Sequence, residues 1–286
     1  MTASAAPSSA LKIVPVFAGG GTRLPAHIGI LKALEELTVE FDHLVGVSGG
    51  SIVASLFAAG FSVNEMKSLA IHTDFAKFKG NSLITLLRSG GLSNGDTFEK
   101  WIDTLLGGVT FSELTKNLSI VATDVSKGGP VIFSKTRTPD MKVSKAVRFS
   151  MSIPLLFSFQ EFNKLIMVDG SILSEDALHR DWAEDGTPVI CFRLRSNGER
   201  KNAETSIIPL KSYITMLIRT FMNTISREYV SNDFWHRTLL IDTGDISPVD
   251  FKLTQADKES LFDAGYNSAI NVLPLKLNNT IPTKHE

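Results

Sequence analysis

Val45-Gly46-Val47-Ser48-Gly49-Gly50-Ser51 places one hydroxyl where an apolar run gives way to a helical pattern. His43-Leu44-Val45-Gly46-Val47 is short and apolar, as a strand buried on both faces must be, and Ile52 to Ala59 reads as a helix that Gly60 stops. Gly46-x-Ser48-x-Gly50 fits the nucleophile elbow, in which a serine is held strained between strand and helix while glycines let the two approach closely. The helix start aims its free amides and about half a unit of positive charge at the serine, which favours negative charge developing there. Taken alone, the motif also suits an ordinary glycine-rich turn, because G-x-S-x-G arises by chance in roughly one chain in ten of this length. The remaining segments decide between the two.

Upstream, Leu11 to Phe17 reads as a buried strand that enters Gly19-Gly20-Gly21. Pro25 suits the first turn of a helix in which Ile28, Leu31, Leu34 and Leu37 line one face. Strand, glycine loop, helix and strand in that order predict a parallel pair, with both loops at the carboxyl ends of neighbouring strands, where open α/β sheets build their sites. Downstream, Leu118 to Thr123 and Pro130 to Phe133 read as strands joined by a turn at Lys127-Gly128-Gly129, and Val143 to Met151 as a helix. Leu165-Ile166-Met167-Val168 is a short strand ending at Asp169-Gly170; Val189 to Leu194 and Leu239 to Ile241 are further strands. Ser62 with Glu65, and Asp96 with Glu99, read as capping boxes. Phe75 to Leu92 mixes large apolar and basic residues, as a helix packed on the body or a lid facing a membrane would. Leu210 to Tyr229 carries the stripe Ile214, Leu217, Ile218, Phe221, Met222 and Ile225, suited to a core or a homo-oligomer interface. A last helix is expected from Thr254 to about Val272.

With 286 residues, 43% hydrophobic and 21% charged, the chain has material for one large α/β domain. It reads as a single domain over 11–273 between flexible tails at 1–10 and 274–286. A net charge of −1 leaves no basic surplus for a nucleic-acid polymer. One cysteine, Cys191, lies in an apolar run, and the first ten residues lack the pattern of a secretory signal, so a cytoplasmic location is expected. No apolar run reaches the roughly 20 residues that span a bilayer, which leaves peripheral contact as the expected mode of meeting a membrane.

An alcohol needs a base to become a nucleophile, and the tetrahedral oxyanion it creates needs hydrogen-bond donors. Gly19, Gly20 and Gly21 are candidate backbone donors. The loop does not fit a dinucleotide or phosphate-loop pattern, since Leu24 stands where the former needs glycine and the latter's Gly-Lys-Ser/Thr is missing. For the base, Asp169 ends an apolar strand and so emerges at a sheet edge. His179 or His236 would instead complete a Ser-His-Asp arrangement.

Together these segments resemble the patatin-like phospholipases. The resemblance runs from about Ile13 to Leu178: Gly19-Gly20-Gly21-Thr22-Arg23 is similar to the family's oxyanion loop with its basic residue, Gly46-Val47-Ser48-Gly49-Gly50-Ser51 to its elbow, and Asp169-Gly170 to its Asp-Gly motif. Ala122-Thr123-Asp124 and Phe149-Ser150-Met151-Ser152-Ile153-Pro154 resemble its middle segments. The chain departs from the pattern at Ala18, at Leu24-Pro25 and at Ser171.

The resemblance implies a three-layer α/β/α sandwich around a central, mostly parallel sheet. It implies a Ser48-Asp169 dyad hydrolysing acyl esters of membrane glycerophospholipids, with no metal or other cofactor. Gly46, Gly49, Gly50 and Gly170 would shape the site, and Arg23 would either meet a lipid phosphate or brace the loop. Gating by a small-molecule nucleotide activator is also open to such a chain. The rival without chemistry is an anion-binding module or dormant scaffold.

Overall fold

The computed structural model describes residues 11–80, 82–172, 178–196 and 232–280, with positions 210, 213, 214, 216–218 and 220. Its strands are β1 (Val14–Ala18), β2 (His43–Val47), β3 (Gly91–Ser93), β4 (Asn117–Asp124), β5 (Gly129–Ser134), β6 (Leu155–Phe157), β7 (Gln160–Phe162), β8 (Leu165–Val168), β9 (Val189–Arg195) and β10 (Thr238–Asp242). The helices that matter below are α1 (Leu24–Glu36), α2 (Gly49–Ala58), α3 (Val63–His72), α4 (Leu83–Ser89), α5 (Asp96–Leu105), α6 (Val143–Ser150) and α7 (Gln255–Thr280).

The main sheet runs β10-β9-β1-β2-β4-β8-β7, with β5 also paired to β4. From β10 to β4 every pairing is parallel, because helices return the chain to the same end of the sheet. The hairpin strands β5, β7 and β8 add antiparallel edges. β3 and β6 form a separate parallel pair.

Side chains alternate between the two faces of each strand. Phe17, Leu44, Ile120, Ile190 and Phe192 enter one large core with Leu31 of α1, Val53 of α2, Val147 of α6 and Leu273 of α7. Val14, Val16, Val45, Val47, Val121 and Cys191 pack on the opposite face with Leu178 and Trp182. Burial on both faces is why β1 and β2 read as unbroken apolar runs. Among the described residues, no helix is long and apolar enough to cross a membrane.

Four expectations need correction or completion. α7 continues through Pro274 to Thr280, so 274–280 is helix and not tail. An interior proline costs a helix about 3 kcal/mol, but Leu273 and Leu277 are both buried one turn apart, and that packing holds the helix across it. Asp96 does not cap α5: the cap is Gly95, in left-handed backbone, and Asp96 lies in the first turn. Phe75 to Leu92 divides into a buried turn, Phe75–Phe78, and α4, which buries no side chain. In the Leu210 to Tyr229 pattern Ile214 and Ile218 are buried in the large core, Leu217 is 41% exposed, and Phe221, Met222 and Ile225 lie outside the described residues. Positions 1–10 and 281–286 also lie outside them.

Candidate active site

The register of the sheet brings Ser48 and Asp169 together. At Val121 of β4 both Val47 of β2 and Ile132 of β5 are paired, so β2 and β5 occupy opposite sides of β4; at Thr123 the partners are Pro130 of β5 and Val168 of β8. β2 and β8 therefore share one side of β4 and run toward each other. Val47 stops level with residue 121 and Val168 level with 123, leaving only the level of Ala122 between them. Both chains turn out of the sheet there. Ser48 Oγ donates a 2.6 Å hydrogen bond to Asp169 Oδ2.

Ser48 stands at the N-terminus of α2 with φ 52° and ψ −130°, a left-handed conformation that costs a non-glycine residue about 1–3 kcal/mol and persists only where its surroundings impose it. Its amide donates to Ser150 Oγ at 2.8 Å, and that hydroxyl donates on to Val121 O at 2.6 Å, tying the elbow to β4. Close packing completes the constraint. A Cβ on Gly50 would lie 2.1 Å from Phe17 O, and one on Gly49 would lie 2.6 Å from Gly21 N. Gly46 and Gly170 meet Ser51 and Val121 just as closely. Gly50→Ala is expected to destabilise the fold by about 3 kcal/mol or more, since rigid backbone must move. Denaturant unfolding measures it.

Asp169 is fully buried. Its Oδ1 accepts the Ser171 amide at 2.8 Å, its own amide donates to Ser152 O at 3.0 Å, and its carbonyl accepts from Thr123 Oγ1 at 3.0 Å. Burial lifts its pKa from 3.8 to about 6; the hydrogen bonds from Ser48 and the Ser171 amide hold it back. The carboxyl is thus a far better proton acceptor than an exposed aspartate, and still ionised at neutral pH.

The glycine loop departs in detail from the expectation of three open donors. Gly19 gives its amide to Val47 O at 3.1 Å, which leaves it committed to the strand pairing it continues. Gly20 and Gly21 donate to no acceptor among the described residues, and both have positive φ, 108° and 54°. These two are the available donors. Arg23 is buried; its Nε donates to Gly20 O at 3.3 Å, and its other nitrogens donate to Thr243 Oγ1 and Leu194 O. Burial lowers its pKa to about 9, so it stays charged at neutral pH.

Neither alternative histidine reaches the serine. His179 is hydrogen-bonded to Thr238 at the start of β10 and stacked on Phe234. β10 lies three strands from β2, about 14 Å across the sheet. His236 lies two residues before the start of β10. Two supporting residues were not read from sequence as such: Ser150, although its segment was singled out, and His27, a lone histidine on an apolar helix.

Beside the dyad lies an apolar cavity of about 30 Å³, lined by Gly21, Ile52, Phe75, Phe78, Phe98, Trp101, Met151 and Phe157 among others. Met151 Sδ is 3.7 Å from Ser48 Oγ. The space holds about one water molecule. Ser48 and Asp169 are both inaccessible to solvent.

Comparison with known proteins agrees with the fold. Residues 16–179 match the family described as patatin-like phospholipase. YqhO of Bacillus subtilis is 28% identical over 87% of this chain and 94% of its own length, and a protein of Acanthamoeba polyphaga mimivirus is 30% identical over 87% and 90%. A probable lipid hydrolase of invertebrate iridescent virus 6 is 24% identical over 89% and 86%. The crystal structure of VipD from Legionella pneumophila shares the fold, with a TM-score of 0.65 at 16% identity over 95% of this chain and 67% of VipD. With the family pattern matched across more than half its length, the chain belongs to the patatin-like phospholipases, a family of lipid acyl hydrolases.

Proposed function

We propose that this protein hydrolyses acyl ester bonds of membrane glycerophospholipids with Ser48 as nucleophile and Asp169 as its base. The 2.6 Å hydrogen bond between the two, at the N-terminus of α2 and beside two uncommitted glycine amides, carries the reading. Asp169 takes the Ser48 proton as Oγ attacks the ester carbonyl. The Gly20 and Gly21 amides receive the oxyanion, each worth roughly 2.7–4 kcal/mol if aimed well. As the tetrahedral intermediate collapses, Asp169 returns the proton to the leaving lysolipid oxygen. Water, activated by the same carboxylate, then releases the fatty acid. The raised pKa of Asp169 and the dry surroundings compensate for the weakness of a carboxylate as a base toward an alcohol. Gating by a nucleotide and self-association are required by none of these steps.

Peripheral contact with the membrane falls to α4. Leu83, Ile84 and Leu87 are 40%, 65% and 87% exposed, and Phe159 beside Gly90 extends the apolar surface. The buried turn Phe75–Phe78, which lines the cavity, precedes it. Lys77, Lys79 and Arg88 flank this surface with positive charge for anionic headgroups. Burying Ile84 and Leu87 in lipid is worth roughly 1.5–3 kcal/mol each. The pair Ile84→Asp and Leu87→Asp is therefore expected to weaken binding to anionic vesicles at least about tenfold, with hydrolysis of a soluble short-chain ester within about twofold of wild type. Vesicle co-sedimentation and an ester assay check the two halves.

The function itself is tested by incubating the purified protein with vesicles of mixed headgroups and analysing the lipids by mass spectrometry. Free fatty acid with the matching lysophospholipid is expected. The reading falls if neither product exceeds that of the Ser48→Ala protein for any headgroup.

A further inference from the structure

His27 is fully buried, one helical turn beyond Arg23, with its ring edge-on to Phe17 and its Nε2 3.2 Å from where a Cβ on Gly20 would lie. Its Nε2 is 3.2 Å from Gly19 O, and its Nδ1 has no hydrogen-bond partner among the described residues. These contacts set the tautomer. An unprotonated Nε2 would face the carbonyl with lone pair against lone pair, so the proton sits on Nε2 and is donated to Gly19 O. Burial lowers the pKa of the ring to about 3, which keeps it neutral wherever the protein works.

The consequence lies on the far side of the peptide. A trans peptide unit is planar, with C=O and N–H pointing in opposite directions. Gly19 O and Gly20 N–H belong to one such unit. Gly19 O is held by two donors, the Gly50 amide at 3.0 Å and His27 Nε2. The next unit is held in the same way: Gly20 O accepts from the Arg23 amide at 3.0 Å and from Arg23 Nε at 3.3 Å, which orients Gly21 N–H. Glycines with positive φ have no side chain to hold them in place. Without these anchors the two units are free to turn.

We infer that His27 is a positioning residue for catalysis: by holding the Gly19 carbonyl it aims the Gly20 amide at the oxyanion formed on Ser48. The inference rests on the dyad proposed above. It concerns how the donor is oriented, which the dyad alone does not specify.

His27→Gln and His27→Asn separate positioning from packing. A glutamine amide reaches the place of Nε2 and can donate to Gly19 O; an asparagine amide stops near the place of Nδ1. Both remove the ring, so a purely structural role moves them alike. The expected result is a kcat within about fivefold of wild type for Gln and a 10–100-fold lower kcat for Asn, with KM within about twofold in both, since a misaimed donor loses transition-state stabilisation only. Equal kcat in the two folded variants overturns the role of His27.

A measurement on the unmodified protein needs no variant to fold. A long-chain trifluoromethyl ketone adds Ser48 Oγ to its carbonyl carbon; the carbonyl electron pair becomes an oxyanion and the serine proton passes to Asp169. In a 15N-glycine-labelled sample the Gly20 amide proton is expected to move downfield on this addition, and the Gly19 amide, already given to Val47 O, to move little. An unmoved Gly20 resonance in the adduct overturns the inference. Ser48→Ala distinguishes the two failures: esterase activity surviving in it overturns the dyad and this inference with it. Activity lost there but unchanged in both His27 variants overturns only the role of His27.

Discussion

Replacing Ser48 by alanine is expected to lower phospholipid hydrolysis by about 10⁴-fold or more, because no other nucleophile in the site takes over a covalent step. The amides that receive the oxyanion remain, and so does the helix N-terminus, which is why a trace of catalysis over the uncatalysed rate should persist. The fold should remain as well. Alanine accepts the strained backbone no better and no worse than serine, and the amide still meets Ser150 Oγ. One cost is specific to the substitution: Asp169 Oδ2 loses the hydroxyl at 2.6 Å and stays buried. A buried acceptor stripped of its donor costs about 1–3 kcal/mol, so the variant should be less stable than wild type at pH 8. Steady-state hydrolysis, labelling with a fluorophosphonate and thermal unfolding follow the three effects. Hydrolysis near the wild-type rate, or phosphonylation that survives the substitution, would remove Ser48 from the mechanism.

The residues of this site were legible because chemistry constrains their neighbours. Gly46 and Gly50 mark the elbow since a side chain at Gly50 would meet the backbone of β1, and Asp169-Gly170 marks a strand end. What brings Ser48 and Asp169 into contact was not legible. It depends on β2 and β8 sharing one side of β4, and a register between strands leaves no local trace in either.

The same limit applies to the oxyanion loop. Three consecutive glycines read as three donors, but Gly19 continues the strand ladder and has spent its amide on Val47 O. His27 gave no signal, for a single histidine on the apolar face of α1 has the pattern of a core residue and packs as one. Arg23 has two open roles in the sequence; the structure buries it, with Gly20 O, Thr243 Oγ1 and Leu194 O among its acceptors. The last helix reads as ending at about Val272 because propensity is local, whereas the burial of Leu277 that carries α7 past Pro274 is not.

Asp169→Asn is expected to abolish activity and stabilise the protein, with the second effect depending on pH. Without a base the Ser48 proton has no acceptor, and kcat should fall by about 10³–10⁴-fold. In wild type, kcat/KM should rise with pH through the pKa of about 6 and level off above it, as the carboxyl ionises. Stability runs the other way. The pKa of Asp169 is raised in the folded protein above its ordinary value of 3.8, so folding favours the protonated form. The stabilisation is fully present below about pH 4 and is lost as pH rises through about 6, a total on the order of 3 kcal/mol. Asparagine never ionises and keeps the site's hydrogen bonds, with its oxygen toward the Ser171 amide and its NH₂ toward Ser48 Oγ. The variant should therefore match wild type in stability at pH 4 and exceed it at pH 8 by up to about 3 kcal/mol. Denaturant unfolding of both proteins across that range is the measurement. A difference that stays constant with pH would mean that Asp169 is not the buried, proton-hungry carboxylate that the mechanism needs, since the burial that makes it a competent base is the same burial that makes it costly to ionise.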